Sequence, residues 1–403
     1  MKPRILFVDD EPNILDGLRR MLRGFRGEWD MAFAIGGRAA LDELSRQPVD
    51  IIVSDMRMPD IDGTALLKEV RSKYPNVIRM VLSGQCDTKS VYHIVGSCHQ
   101  FLSKPCDTEA LAKAVRRTLA LRNLIHNDRL RQRLAGQTGL SAPSQTYRRL
   151  IELLNADCQS AKEVSALIVS DLALSAKILQ LANSGYFGAA RSMTSPDQAI
   201  NFLGLDTISA LVLSHGVLSE LDVDRLPPRI YRDISMRGRT CARIARDIAS
   251  AEGLDQHAAG HAYVAGLLCE IGILVLADGP SADYERIYWQ ARESGVRLRE
   301  LELESLGDSH DIAGAYLLTL WGFPSGVVDA VAFCDTPRQA HGHSFDVLSV
   351  LHIAHGLLST EPGQIESRGL LDRLDCDYLK DINAMAVAER CAKSYAASRA
   401  VAS

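Results

Sequence analysis

Five polar side chains within the first 104 residues have the types needed to accept a phosphoryl group. Asp9 and Asp10 follow one short apolar run, Asp55 follows another, and Ser83 and Lys104 follow two more. Three carboxylates brought together repel one another unless a cation neutralises them, and Mg²⁺ binds a few carboxylates together with water and phosphate oxygens. One carboxylate can act as a nucleophile and form an aspartyl phosphate. A lysine and a hydroxyl can then hold the phosphoryl oxygens by charge-assisted hydrogen bonds.

The elements that must position these side chains are five short strands that alternate with helices. We predict strands at residues 5–8, 29–34, 49–54, 77–82 and 99–103. Helices are predicted at about 12–23 and 38–45, with a further one starting near Asp107. Strict alternation with short links predicts a flavodoxin-like, doubly wound, five-stranded parallel sheet with helices on both faces. Ligands bind beyond the carboxyl ends of such strands, where all five polar residues fall.

The first 120 residues resemble the receiver domain of two-component response regulators. The resemblance covers about residues 3–120 and rests on the stretches ILFVDDEPNI, IIVSDMRMPDIDG, VLSGQ and FLSKP. It implies that Asp55 accepts the phosphoryl group. It also implies that Mg²⁺ is bound by Asp9, Asp10, Asp55 and the backbone carbonyl of Arg57.

The same resemblance implies how the receiver senses phosphorylation. Ser83 is the hydroxyl that contacts the phosphoryl group, Lys104 is the cation that binds it, and Phe101 occupies the position of an aromatic switch. The implied phosphodonor is a histidine kinase. The receiver is expected to catalyse this transfer and its own dephosphorylation.

A linker is predicted between this domain and the rest of the chain. Residues 107–135 have the pattern of one long helix, and its surface becomes basic after Leu121. The helix has two interpretations: a solvated extension of the receiver, which we favour, or a signalling helix with a short dimer seam. The residues after Gly136 then break the helix.

The remainder of the chain has an almost wholly helical pattern without a convincing strand, which predicts a multi-helix bundle. It resembles the HDOD domain, an all-helical signalling module related to HD-type metal-dependent phosphohydrolases. The resemblance covers about residues 140–340 and rests on the stretches LANSGYFG, AINFLGL, AGLLCEIGILVL, HDIAGAYLLTLWGFP and DAVAFCDTP. The predicted divisions are a receiver at 1–122, a linker helix and hinge at 123–142, an HDOD domain at 143–340 and a helical extension at 341–403.

The metal ligands of an HD enzyme are replaced at the matching positions. Such enzymes bind metal through a first His, a His-Asp pair and a later Asp. Here the pair is Cys269-Glu270, the first position matches Arg239, and the last lies near His355. An arginine repels a metal ion, so we expect the hydrolase site to be lost and the HDOD domain to need no cofactor.

Other residue types that could bind a ligand are interpreted as structural. Cys334-Asp335 stands where relatives often carry histidines and is a further departure from the enzyme pattern. The remaining histidines considered are His257, His261, His310, His341, His343 and His352. Tyr186, Phe187 and Trp321 are expected in the core, while Asn183 either caps a helix or lines a groove.

Composition places the chain among ordinary globular proteins. It has 403 residues, 47% of them hydrophobic and 24% charged, with a formal net charge of −5. That balance disfavours a dedicated nucleic-acid binder, and no apolar run reaches the roughly 18 residues of a membrane span. Nine cysteines without a CxxC pair indicate reduced thiols. With no signal peptide recognised, we expect a cytoplasmic protein.

The function predicted from the sequence is therefore a response regulator with a non-catalytic HDOD output. The output is expected to bind a protein partner, with a homodimer possible and membrane or nucleic-acid binding disfavoured. One alternative is a metal-dependent phosphodiesterase that acts on a cyclic dinucleotide. The other is a DNA-binding regulator, although no helix-turn-helix with a basic recognition helix is recognised.

Overall fold

The structure is a computed structural model that describes most of the chain. The described residues are 2–83, 98–104, 107–136, 146, 149–150, 153, 161–183, 192–205, 207–208, 227–277, 282–340, 344–358 and 373–400.

The N-terminal part contains a five-stranded, wholly parallel sheet with the strand order β2-β1-β3-β4-β5. The strands are β1 (Arg4–Asp9), β2 (Asp30–Ile35), β3 (Ile51–Asp55), β4 (Ile78–Ser83) and β5 (Gln100–Ser103). The register pairs Asp55 with Leu82 and Ser83 with Ser103, so the polar ends of these strands reach the same edge of the sheet. This confirms the predicted doubly wound parallel sheet.

Helices alternate with these strands, and local signals explain where they begin. They are α1 (Pro12–Met21), α2 (Gly36–Arg46), α3 (Gly63–Lys73) and α4 (Thr108–Asn123), with a 3₁₀ helix at Leu22–Gly27. Pro12 occupies the first turn of α1, where its missing N–H costs nothing. The Asp62 carboxylate caps α3 by accepting the N–H of Ala65 at 2.7 Å.

The prediction of one long helix over residues 107–135 is wrong. Helix α4 ends at Asn123, and a separate helix α5 spans Asp128–Gly136. Asp308, distant in sequence, accepts the backbone N–H groups of His126 at 2.7 Å and Asn127 at 2.8 Å. The Asn127 side chain in turn accepts the N–H groups of Arg129 and Leu130. The break is therefore stabilised by a new helix cap and by a tertiary contact.

All regular elements described after α5 are helical, which confirms the predicted bundle. They are α6 (Ala161–Ser170), α7 (Leu172–Asn183), α8 (Pro196–Leu203), α9 (Pro228–Ala251), α10 (Gln256–Leu268), α11 (Ile271–Ala277), α12 (Ala282–Ser294), α13 (Leu298–Leu306), α14 (His310–Leu320), α15 (Ser325–Phe333), a 3₁₀ helix at Pro337–Gln339, α16 (Val347–Leu358), α17 (Cys376–Asp381) and α18 (Met385–Ala400).

The two faces of the sheet contribute to two different cores. Leu6 and Val8 face a cluster confined to the receiver part, whereas Ile5 and Phe7 face a cluster that continues into the helical bundle. This alternation follows from the two-residue period of a strand. One apolar core therefore extends from the sheet through α4 and α5 to the bundle.

One helical stretch, Gln256–Ala277, is apolar and long enough to cross a membrane. Its most apolar window is 83% buried inside the protein, as is usual for a core helix of a globular bundle.

Candidate functional site

Three of the predicted chemical groups meet at the carboxyl edge of the sheet. Asp9 ends β1, Asp55 ends the adjacent strand β3, and Lys104 directly follows β5. The Lys104 ammonium donates to Asp9 Oδ2 at 2.9 Å and also to Asp55 Oδ1. Because β5 lies two strands from β3, at roughly 4.8 Å per strand, only a long side chain reaches the carboxylate. The predicted grouping of these residues is thus present.

Backbone N–H groups hold the two carboxylates in place. Asp9 Oδ1 accepts the N–H of Glu11 at 3.0 Å, and Asp55 Oδ2 accepts the N–H of Arg57 at 2.7 Å. A Cβ on Gly63 would lie 2.3 Å from the carbonyl oxygen of Asp55, so a side chain there would displace α3 from the end of β3. Glycine at this position therefore supports the placement of Asp55.

The site keeps Lys104 charged. Burial lowers the pKa of the ammonium, but the hydrogen bonds to Asp55 and Asp9 outweigh that effect and raise the pKa above its usual value. Lys104 therefore supplies a permanent positive charge beside the carboxylates.

The residues present fit a bound Mg²⁺ ion. Asp9 and Asp55 contact one ammonium group, so their carboxylates lie within reach of a single cation, and Asp10 follows directly in the chain. Carboxylate and carbonyl oxygens are the ligands that Mg²⁺ prefers. Arg57 lies beside Asp55, and the use of its carbonyl as a ligand stays a prediction. Ser83 ends β4, and its side chain is outside the described part of the structure.

Phe101 lies at the border between the sheet and the helical bundle. It is half-buried on β5 and lines a cavity of about 30 Å³. The other lining residues are Cys98, His99, Gln180, Leu181, Asn183, Trp321 and Gly322. The predicted switch residue therefore adjoins α7 and the end of α14.

Polar contacts also join the receiver part to the bundle. The Gln100 side chain donates to the carbonyl of Thr319. On α4, Arg117 donates to the carbonyl of Ser325 at 2.6 Å and forms an ion pair with Asp329. Sequence analysis missed these contacts because they join residues more than 200 positions apart.

A second charged cluster lies inside the bundle, at the positions matched to the HD metal ligands. Glu270 has 4% of its side chain exposed, and an oxygen lies 2.9 Å from Arg237 and 3.4 Å from Arg292. Arg239, which the sequence matched to the first ligand position, lies outside this cluster. Arg239 is exposed and donates to the carbonyl of Ser170, whereas Arg237, two residues earlier, points to Glu270.

His355 connects Glu270 to a further carboxylate. Its Nδ1 lies 3.2 Å from Asp335 Oδ1, and its Nε2 lies 3.7 Å from Glu270 Oε1. Burial lowers the pKa of the imidazole, but the bonds to Asp335 and Glu270 outweigh it and raise the pKa to about 10. An imidazolium has no free lone pair, so His355 would have to lose a proton before it could bind a metal ion.

Cys334, Asp335 and His355 nevertheless place ligand atoms within 4.8 Å of one another. A thiolate, a carboxylate and an imidazole can together hold a metal ion. Burial raises the pKa of the Cys334 thiol well above its usual value, so both this thiol and His355 would have to lose a proton on binding.

His352 and His310 have the structural contacts expected of them. His352 is buried, with Nδ1 2.6 Å from the carbonyl of Cys334 and Nε2 accepting the N–H of Asp375 at 2.8 Å. His310 is buried with Nδ1 2.7 Å from Glu302. The rings of His257 and His261 lie 4.1 Å apart on α10.

The aromatic and polar candidates near the cavity are only partly described. Trp321 is buried in the core, as predicted, and Asn183 bonds the backbone of Met193 while also lining the cavity. Tyr186, Phe187, His341 and His343 lie outside the described residues.

Two family models match the chain. The model of the response regulator receiver domain matches residues 5–116, and that of the HDOD domain matches residues 140–337.

Curated relatives match only in part. The hydrogenase transcriptional regulatory protein HoxA of Cupriavidus necator is 35% identical over 126 residues, 30% of this chain and 25% of the relative. The transcriptional regulatory protein GlrR of Escherichia coli K12 is 28% identical over 210 residues, 46% of each protein. The matches thus span a quarter to about half of these relatives' lengths.

Among solved structures, the MmoQ response regulator of Methylococcus capsulatus is 27% identical, with 60% of this chain and 98% of that chain covered and a TM-score of 0.42. The receiver domain of an HD domain-containing protein of Pseudomonas fluorescens is 31% identical, with 30% of this chain and 96% of that chain covered and a TM-score of 0.29.

Proposed function

This chain is a response regulator in which a receiver domain precedes an HDOD domain, and from that premise we propose that phosphorylation of Asp55 switches the binding of a protein partner by a non-catalytic HDOD domain. The phosphodonor is a histidine kinase. The observation that carries the proposal is the contact of Lys104 with both Asp9 and Asp55 at the carboxyl edge of the sheet.

The receiver's own residues provide the acceptor and its charge balance. An oxygen of Asp55 attacks the phosphorus, the P–N bond of phosphohistidine breaks, and a P–O bond to Asp55 forms. The Lys104 ammonium then pairs with the phosphoryl oxygens and the Ser83 hydroxyl donates to them. Asp9, Asp10, Asp55 and the Arg57 carbonyl would hold a Mg²⁺ ion, which would supply neutralising charge for this transfer.

The HDOD domain is proposed to lack hydrolase activity. Arg237 and Arg292 neutralise Glu270, and the carboxylates of Glu270 and Asp335 raise the pKa of His355, which favours its imidazolium form. A divalent cation in this cluster would face two guanidinium groups and an imidazolium. We therefore expect no cofactor in this domain.

The contacts between the domains support a coupled switch. Phe101 lines a cavity together with Trp321 and Asn183, and Arg117 pairs with Asp329. A change at the phosphorylation site that moves Phe101 must alter its packing on the bundle. The switch is proposed to act in the cytoplasm, in a chain that either remains monomeric or forms a homodimer, without membrane or nucleic-acid binding.

The receiver part of the proposal is tested with acetyl phosphate and Mg²⁺, with intact mass as the measurement. Wild-type protein should gain the mass of one phosphoryl group. Asp55→Asn should gain none, whereas Asp42→Asn, an exposed aspartate on α2, should label like wild type. Labelling that persists in Asp55→Asn would place the acceptor elsewhere.

The output part is tested by comparing proteins captured by wild type with a phosphoryl mimic and by Asp55→Asn. A partner captured in only one of the two states is the expected result. Identical capture by both would contradict phosphorylation-dependent binding.

A second candidate function, a metal-dependent cyclic-dinucleotide phosphodiesterase, is favoured by the grouping of Cys334, Asp335 and His355. Elemental analysis and an assay against cyclic dinucleotides decide between the two functions. Stoichiometric metal with turnover that Glu270→Ala abolishes would establish the phosphodiesterase, and absence of both would support the non-catalytic domain.

A further inference from the structure

Helix α9 carries a row of exposed arginines that the proposed switch does not use. The row consists of Arg229, Arg232, Arg239, Arg243 and Arg246. Met236, with 54% of its surface exposed, occupies the gap between the second and third of them. The helix contains six arginines against two aspartates, in a chain whose net charge is −5.

The spacing places these residues on one face of the helix. Successive members, with Met236 included, are separated by three or four residues in alternation, which is the spacing of neighbours along a helix surface. From Arg229 to Arg246 the row extends for about 25 Å, at 1.5 Å per residue. The opposite face is buried and includes Ile234, Cys241 and Ala245.

The five guanidinium groups of this row form no close ion pair within the described part of the chain. No carboxylate lies within ion-pair distance of the five guanidinium groups among the described residues. Arg239 instead bonds the carbonyl of Ser170, and Arg246 lies 5.1 Å from the ring centre of Tyr263. By contrast, Arg237 on the buried side is paired with Glu270.

A row of like charges destabilises a helix. Like charges three or four residues apart repel by a few tenths of a kcal/mol per pair. An anionic partner laid along the row would remove this repulsion, so the surface has complementarity to a linear array of negative charge.

We propose that this row docks an acidic α-helix of the protein partner of the HDOD domain, an inference that rests on the proposed protein-binding function. Two helices lie side by side when each presents residues at alternating three- and four-residue steps, which α9 does over about 25 Å. Met236 in the middle of the row favours a protein over a nucleic acid, because an apolar side chain of a partner helix can cover it while a phosphate backbone cannot.

The test uses full-length protein and synthetic helical probes of about 20 residues, long enough to form a helix. The first probe carries glutamates at alternating three- and four-residue steps with a leucine opposite Met236. The second has the same composition with its glutamates distributed around the helix. Fluorescence anisotropy should show at least about tenfold tighter binding of the first probe.

Charge reversal locates the binding surface. Arg232→Glu combined with Arg243→Glu should weaken binding of the first probe by more than about tenfold. The matched control, Arg20→Glu combined with Arg286→Glu, reverses two exposed arginines outside the row and should leave affinity unchanged. Equal binding of the two probes, or equal losses in the two double variants, would overturn the proposal.

Two further comparisons distinguish a nucleic acid from a protein helix on this row, and distinguish failure of this proposal from failure of the proposed function. The nucleic-acid probe is an oligonucleotide of about 20 thymidines. If it binds tighter than the first probe, and if Arg232→Glu combined with Arg243→Glu loses this binding, the row is a nucleic-acid surface and the proposal is overturned. The probe assay needs no phosphorylation. Its failure therefore refutes the docking row alone, whereas identical partner capture by wild type and Asp55→Asn refutes the switch alone.

Discussion

At the scale of single residues, Glu270 is the centre of charge balance in the bundle. It is buried, and its neighbours Arg237, Arg292 and His355 are all cationic. Burial raises the pKa of the Glu270 carboxyl, but the nearby guanidinium groups outweigh it and hold the pKa well below the usual range. The carboxylate is thus ionised only because these partners remain in place.

Removal of Arg237 should be costly for this reason. Arg237→Ala leaves Glu270 with fewer partners, and we expect it to lower the free energy of unfolding by about 3 kcal/mol. Arg286→Ala, at an exposed position of α12, should change it by less than about 0.5 kcal/mol. Urea denaturation measures both. Equal effects of the two substitutions would show that the buried pair is not stabilising.

The position of this arginine shows what could and could not be predicted from the sequence. The resemblance identified Cys269-Glu270 and His355 as members of the cluster, but it selected Arg239 in place of Arg237. Two residues in a helix differ by about 200° in direction, so a shift of two positions turns a side chain from the core to solvent. Only the packing of α9 against α10 determines which arginine faces inward.

His310 provides a pH-dependent contribution to stability. Burial lowers its pKa, but Glu302 outweighs that effect and raises the pKa to about 9, compared with 6.5 for the unfolded chain. The pair therefore contributes its full stability below about pH 6.5 and loses it as the pH rises towards 9, a change of about 3 kcal/mol.

Thermal or urea unfolding at several pH values tests this window. The stability difference between wild type and His310→Gln should shrink between pH 6.5 and 9.5. Glu302→Gln should lose the same pH dependence, because it removes the partner of the charged imidazole. A difference that stays constant over this range would contradict the assignment.

At the scale of elements, the strands and helices of the receiver agree closely with the sequence prediction, whereas the linker does not. The strands are short apolar runs with polar residues at their ends, so local pattern is sufficient to place them. The break between α4 and α5 depends on Asp308, which binds the N–H groups of His126 and Asn127 from far along the chain. The local pattern of apolar residues contains no information about a partner so distant in the sequence.

Helices α11 and α14 pack so closely that one glycine is required. A Cβ on Gly272 would lie 1.9 Å from the carbonyl oxygen of His310 and 2.6 Å from the nitrogen of Gly314. Gly272→Ala must separate the two helices, and we expect it to lower the free energy of unfolding by at least about 2 kcal/mol.

The matched control is Gly17→Ala in α1, where no atom lies within 4 Å of the added carbon. Alanine has the higher helix propensity, so this substitution should raise stability by up to about 1 kcal/mol. The denaturant concentration at the midpoint of unfolding measures both effects, provided that the dependence of the unfolding free energy on denaturant concentration is unchanged. A neutral Gly272→Ala would mean that the two helices can separate at no cost.

At the scale of the whole molecule, the receiver and the HDOD domain share a core and a polar border. Leu119 of α4 and Leu134 of α5 belong to the same apolar cluster as Leu317 of α14. The border also includes Arg133, which donates to the carbonyl of Val275 at 2.8 Å. A change in the receiver can therefore reach the bundle through packed side chains.

Hydrogen exchange with and without a phosphoryl mimic should detect this coupling. We expect changed protection in α4 and α5 and in the region of Asp308–Leu320, because these segments meet at the border. Lys104→Ala should still bind Mg²⁺ but lose much of this response, since it removes the phosphoryl group's cation and no metal ligand. Changes confined to residues 1–106 would refute the coupling.

The contact of Gln100 with Thr319 also has a consequence for how the protein is made. β5 is the edge strand of the described sheet, and the residue that accepts the Gln100 hydrogen bond is synthesised 219 positions later. At roughly 5–20 residues per second, the nascent receiver waits about 10–40 s before this part of its border can be covered. An open strand edge invites pairing with other chains, and the four-residue length of β5 limits that risk. Ribosome-arrested chains that end near residue 200 should therefore expose the Gln100 region to protease, and those that extend well past residue 360 should protect it.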